Sequence, residues 1–169
     1  MLQYGQVTDA PVYLEDKELL GICNEFNIPE IESGTVEHDT LGSVGVLMLP
    51  QRGLSGLTGS IKLMFPEPSM VAMFSRPNKA AKFQVHQKID VFDSDGLNEE
   101  KSDTLITHVK VLFNKNAFAS VKKGEAHEDA ADFTCTYLMQ RLTSSDVPLV
   151  EIDLFANIYK VNGEDVWPN

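Results

Sequence analysis

The run Ala81-Lys82-Phe83-Gln84-Val85-His86-Gln87-Lys88-Ile89-Asp90-Val91 puts Phe83, Val85, Ile89 and Val91 on one side of an extended chain. Lys82, Gln84, His86, Lys88 and Asp90 fall on the other side. Alternation of this kind marks a β-strand with one face buried and one face in water. The pattern repeats on either side of this run. Leu57, Ile61, Leu63 and Phe65 alternate with Thr58, Ser60 and Lys62, and Phe133, Cys135, Tyr137 and Met139 alternate with Thr134, Thr136 and Gln140. Leu105 to Phe113 and Leu149 to Tyr159 read as strands with less clean faces. Val12–Leu14 and Glu18–Ile22 flank the polar Glu15-Asp16-Lys17, which reads as a hairpin turn. One helix is predicted. Pro66, Glu67, Pro68 and Ser69 suit a first turn, Met70, Met73 and Phe74 follow at helical spacing, and Pro77 ends the run. The chain is therefore mainly β with one short helix.

The 169 residues carry 14 Lys+Arg against 25 Asp+Glu, a net charge of −11. That length predicts a single domain over residues 1–169, burying roughly 70% of its unfolded surface without staples. A hydrophobic content of 43% argues against a disordered acidic tail. The negative balance disfavours a sequence-independent nucleic-acid binder and docking on an anionic membrane. Cys23 and Cys135 are too sparse for a disulfide scaffold and read as reduced, partly buried thiols. Residues 1–17 show no basic start followed by an apolar stretch, and the apolar run Val44–Leu49 is too short to span a bilayer. The expectation is a soluble protein made in a cytoplasm, with no membrane partner.

Two segments read as loops. Ser33–Leu54 combines Gly34, Gly42, Gly45, Pro50 and Gly53 with the apolar string Val46-Leu47-Met48-Leu49. A loop of that length in a compact domain is usually functional. Asp93–Asp103 carries five acids against Lys101 and reads as a solvated hairpin tip.

Reactive chemistry finds no support. His38, His86, His108 and His127 have no metal-ligand spacing with one another or with the cysteines. Asp93-Ser94-Asp95-Gly96 resembles the start of a calcium loop, but its glycine comes too early and its twelfth position is Thr104 rather than a bidentate glutamate. Gly53, Gly56 and Gly59 lack the Gly-Lys-Ser/Thr ending of a phosphate loop. No pair of carboxylates is set apart as acid and base. No catalytic residue, cofactor or metal site is expected.

Both ends of the chain carry a resemblance. Val12-Tyr13-Leu14-Glu15-Asp16-Lys17-Glu18-Leu19-Leu20-Gly21-Ile22 is similar to the first hairpin of the major tail tube proteins of contractile-tailed phages. Glu25-Phe26-Asn27-Ile28-Pro29-Glu30-Ile31 resembles the proline segment that follows it. The more specific match is C-terminal: Cys135-Thr136-Tyr137, then Leu149-Val150-Glu151-Ile152-Asp153, then Asn157 to Asp165 with Lys160-Val161-Asn162-Gly163. Pro29, Glu151, Asp153, Asn162 and Gly163 are the motif residues. The middle departs, with His38-Asp39-Thr40-Leu41-Gly42-Ser43-Val44-Gly45 where the family has a glycine-rich patch.

The resemblance implies a β-barrel or sandwich with a flanking helix. It also implies a non-enzymatic subunit of hexameric rings that stack into a hollow tube inside a contractile sheath. Sheath, tape-measure and baseplate proteins would be its partners, and DNA would pass through without specific binding. The setting would be a virion tail, or a related prophage or bacteriocin-like particle, assembled in the bacterial host cytoplasm. On that reading, Leu41, Val46, Leu47, Leu49 and Arg52 of the long loop are candidates for contact with an adjacent subunit or ring; the alternative is that the loop folds back on its own core. The acid excess would suit a lumen that repels phosphate, and Glu151 and Asp153 could instead pair with lysines of a neighbour. From another class, a β-sandwich binding module such as a calcium-dependent carbohydrate binder would use the Asp93–Asp103 segment.

Overall fold

The computed structural model describes the backbone of residues 2–15, 17–18, 22–65, 67–118 and 121–168. The strands are β1 (Tyr4–Asp9), β2 (Val12–Leu14), β3 (Lys17–Glu18), β4 (Cys23–Asn27), β5 (Ser33–His38), β6 (Leu47–Leu54) and β7 (Thr58–Leu63). Helix α1 (Pro68–Phe74) follows, then β8 (Ala81–Asp93), β9 (Gly96–Ala117), β10 (Asp129–Leu142), β11 (Val150–Asp153), β12 (Ile158–Val161) and β13 (Glu164–Asp165). The expected turn residue Asp16, the extension through Leu19, Leu20 and Gly21, and Pro66 lie outside the described residues.

Three long antiparallel strands, β8, β9 and β10, form the frame. Each outer strand is longer than either partner on the edge away from β9, so that edge is shared between two. β8 pairs with β2 across Phe83–Val85 and with β1 across Lys88–Phe92. β10 pairs with β7 across Asp129–Thr134 and with β11 across Tyr137–Gln140. β4 extends the β7 side, and β12 and β13 extend the β11 side. The resulting eleven-stranded sheet curls round one hydrophobic cluster. Among the described residues no pairing joins β4 back to β2 or β3, so the hydrogen bonds do not close a ring. The layers meet through side chains instead. Phe26 on β4 lies 5.4 Å from Phe83 on β8 and 5.5 Å from Phe133 on β10.

The change of partner along β10 coincides with a bulge between Cys135 and Tyr137. An extra residue there reverses the alternation. Phe133 and Cys135 point into the core before it, and Leu138 does so after it. The single apolar face expected for Phe133, Cys135, Tyr137 and Met139 is therefore corrected: Tyr137 and Met139 stand on the opposite face, paired with Lys110 and His108. Phe65 is a second correction. β7 ends at Leu63, and Phe65 beyond it is 55% exposed.

α1 begins at Glu67, whose carbonyl accepts the amides of Met70 and Val71 at 3.0 Å. Met70 and Phe74, four residues apart, turn inward. Phe74 meets Phe113 at 4.8 Å, and Phe113 stands edge-on to Phe83 and Phe133 at 6.1 and 6.0 Å. Gly59 is required where β4 and β7 cross Phe133. A Cβ there would lie 2.4 Å from the Asn27 carbonyl oxygen and 2.7 Å from the Phe133 ring.

The Ser33–Leu54 loop expectation is corrected as well. Residues 33–38 and 47–54 pair as a separate two-stranded sheet, leaving residues 39–46 as its connection. The sequence hides this hairpin because neither strand has a buried face to impose alternation. At Asp93–Asp103 the tip is only Ser94 and Asp95, closed by Gly96 at φ +107°, and Glu99, Glu100 and Asp103 already belong to β9.

Phe133→Ala should lower unfolding stability by about 3–5 kcal/mol, and Gly59→Ala should destabilise through the Asn27 clash, both measured by urea denaturation. A loss below about 1 kcal/mol for Phe133→Ala would contradict the central position of that ring.

Candidate functional site

The β5–β6 hairpin is the segment whose chemistry is left unfinished within the chain. Its register runs from Ser33 opposite Leu54, through Val36 opposite Leu49, to His38 opposite Leu47. Six extended residues carry it roughly 20 Å outward. All of β5 beyond Gly34 and all of β6 before Leu54 is exposed. Leu47 and Leu49 lie on one face of the ribbon and Met48 on the other, so both faces present apolar surface. Val36, Val46, Leu47, Met48 and Leu49 are all between 41% and 55% exposed. A lone two-stranded hairpin is marginal in water, and contiguous exposed apolar surface signals an interaction site.

The tip is a defined turn. The Ser43 amide donates to the Thr40 carbonyl at 3.0 Å, and Gly42 at φ +84° occupies the third turn position. That is a type II turn, which needs positive φ there and so favours glycine. Leu41 consequently stands at the apex, and it and Val44 are fully exposed. The Ser43 hydroxyl donates to the Gly45 carbonyl at 2.6 Å and braces the far side.

At its base the hairpin meets the C-terminal strands. Leu54 packs against the core cluster, and the Ser55 amide donates to the Glu32 carbonyl at 2.7 Å. The Arg52 guanidinium sits 5.7 Å from the centre of the Trp167 ring, a cation–π contact. A cleft of about 350 Å³ lies between them, lined by Arg52, Leu54, Ile152, Tyr159 and Trp167 among others. Of the residues singled out by sequence, Leu41, Val46, Leu47 and Leu49 thus share the projecting part, whereas Arg52 belongs to the hinge. Val44 and Met48, which belong to the apolar run Val44–Leu49, complete the exposed surface together with Val36, an isolated apolar residue with no periodic signal in the sequence.

The motif residues occupy turns and strands elsewhere. Pro29 is buried between β4 and β5. Glu151 faces Lys160 across β11 and β12, and Asp153 faces Ile158. The Asp153 carboxylate accepts the amides of Phe155 and Ala156, both at 3.1 Å, and so builds the turn into β12. Asn162 at φ +53° and Gly163 at φ +80° form the two-residue turn joining β12 to β13. Asn-Gly is the preferred pair for that geometry.

The other sequence candidates stay apart from any reactive arrangement. The Asp93 carboxylate accepts the Asp95 amide at 2.9 Å and the Asn98 side-chain amide at 3.3 Å. Among the described residues no three His, Cys, Asp or Glu side chains gather as a metal site, and no helix is long and apolar enough to cross a membrane. Burial raises the thiols of Cys23 and Cys135 to about 11, so both stay protonated near neutral pH. Lys62 bridges Glu25 at 3.1 Å and Glu128 at 3.6 Å, and its contact with Glu25 holds that exposed carboxyl below the ordinary value.

The described residues form a curled sheet from which one hairpin projects exposed apolar surface. Residues 5–169 match the family model of the phage tail tube protein FII, and the chain belongs to that family of structural, non-enzymatic tail tube proteins. Two solved assemblies share the fold, both from an extracellular contractile injection system, PVC. The sheath/tube terminator in its extended state aligns with a TM-score of 0.56 at 11% identity, covering 80% of this chain and 95% of that one. The sheath–tube complex in its extended state aligns at 0.55 and 11% identity, covering 80% and 90%. No curated protein matches the chain in sequence.

Arg52→Ala should loosen the hairpin base without unfolding the sheet. The expected readouts are faster protease cleavage within residues 39–46 and an unchanged melting temperature; equal cleavage rates would remove Arg52 from the hinge.

Proposed function

We propose that the whole chain, residues 1–169, acts as one tube subunit. Six copies form a ring, and rings stack into a hollow tube enclosed by a contractile sheath. Baseplate and tape-measure proteins start the tube and set its length, and DNA passes through without specific binding. The setting is the tail of a phage or phage-like particle assembled in the bacterial host cytoplasm.

The observation that carries the reading is the β5–β6 hairpin, which projects apolar residues on both faces and finds no covering element among the described residues. In a tube, Leu41, Val46, Leu47 and Leu49 bury that surface against an adjacent subunit. Burying it recovers roughly 25 cal/mol for each Å² of apolar area. Repetition round a ring multiplies that contribution. Pro29, Glu151, Asp153, Asn162 and Gly163 serve the fold that presents the hairpin.

Replacing Leu41, Val46, Leu47 and Leu49 together with serine tests the reading. Exposed positions tolerate such changes within about 0.5 kcal/mol each, so the variant should keep the wild-type melting temperature. It should sediment as a monomer where the wild type forms tubes by negative-stain microscopy. Normal tubes from the variant would refute the hairpin's role.

A further inference from the structure

On the face of β8–β10 opposite the core, Lys82 stands directly across from Lys110. Like charges in that position destabilise a sheet. Among the described residues neither lysine has a carboxylate partner, the ion pairs there being at Lys62, Lys115, Lys122 and His127. The two line a groove of about 250 Å³ with Gln84, His108, Tyr137 and Met139. The His108 Nε2 is buried there with no hydrogen-bond partner. Leaving such a group unpaired carries a desolvation cost. Burial and the nearby Arg141 hold the His108 imidazole below its ordinary value, so it is neutral near pH 7 and one of its ring nitrogens can carry a proton to donate. Among the described residues the Tyr137 hydroxyl donates to the Met139 sulfur at 3.5 Å, a weak acceptor. Two ammonium groups and a weakly engaged hydroxyl are the complement of a carboxylate pair.

Carboxylates of that kind stand at the other end of the same two strands. Residues 93–101 hold Asp93, Asp95, Glu99 and Glu100 against Lys101. Lys101 is already turned to the Gln3 side chain at 3.0 Å. Asp95, Glu99 and Glu100 are exposed and, among the described residues, unpaired, beside Leu97 at 49% exposure. From Lys82 to the turn is roughly 35 Å of strand. The ribbon is therefore polar along its length, cationic at one end and acidic at the other.

We infer that the Lys82–Lys110 groove receives the acidic β8–β9 turn of a second copy of the chain, joining copies head to tail along the strand direction. The inference rests on the tube reading above and deepens it. A head-to-tail contact between unlike surfaces propagates instead of closing, as stacking requires. It also answers the charge problem of piling up subunits of −11 each, because opposite potentials meet locally where the copies touch.

Charge exchange tests it. Lys82→Glu with Lys110→Glu, and separately Glu99→Lys with Glu100→Lys, should each leave rings but lower the tube fraction by about tenfold or more, since the contact repeats in every subunit. Combining all four substitutions should restore tubes, which also certifies that the reversed surfaces fold. Normal tubes from either pair alone would overturn the inference. So would a four-fold variant that melts like the wild type yet forms only rings. Wild-type protein that forms neither rings nor tubes even when seeded with the baseplate that starts the tube would overturn the tube reading and this inference with it.

Discussion

The fold turns on the ring of Phe113. It lies edge-on to Phe83 and Phe133, and Phe74 of the helix closes over it. Those contacts join β8, β9, β10 and α1 at one point, and Phe26 ties β4 to two of the same rings. Because no hydrogen-bonded pairing closes the sheet among the described residues, this aromatic packing is what holds its curl. Edge-to-face geometry adds to plain area burial and fixes angles as well as distances. Gly59 belongs to the same constraint, since a side chain there would push β4 away from Phe133.

A frame held in this way can present segments that gain nothing from its own core. The hairpin leaves the sheet at a hinge of Leu54, the Glu32–Ser55 hydrogen bond and the Arg52–Trp167 contact, and beyond that hinge it is exposed. For a protein that stays monomeric, such surface would be a liability for aggregation. On the proposed tube reading it is material for assembly. The lysines facing each other on the sheet face opposite the core follow the same logic: an arrangement unfavourable within one copy would be resolved by the contact inferred between copies.

Much of this was legible in the residues. Phe83 and Val85 on the core face of β8, the helix at Pro68–Phe74 and the first hairpin emerge from alternation, proline placement and polar turns, whereas Ile89 and Val91, on the same expected face, lie outside the core cluster alongside β1. The apolar composition of 33–54 pointed to an interaction surface, but its strands went unread. β-structure announces itself by one face being buried, and here neither face is. The β10 bulge escaped for a related reason: one extra residue flips every later side chain, and nothing in Cys135-Thr136-Tyr137 marks the insertion. Alternation without the bulge places Tyr137 and Met139 in the core for that reason alone.

By itself the sequence determined a mainly β chain, too acidic for a nucleic-acid binder and without catalytic or metal-binding spacing, and its end motifs pointed to a tail tube family. These properties reside in residue types and short-range order. Only the tertiary structure decided which strands share an edge, that the long middle segment is a hairpin held at a hinge, and that Lys82 and Lys110 face each other with no acid paired to them among the described residues. Those are facts of register. Register depends on where bulges fall and on which distant strands share a ladder, and neither is encoded in local alternation.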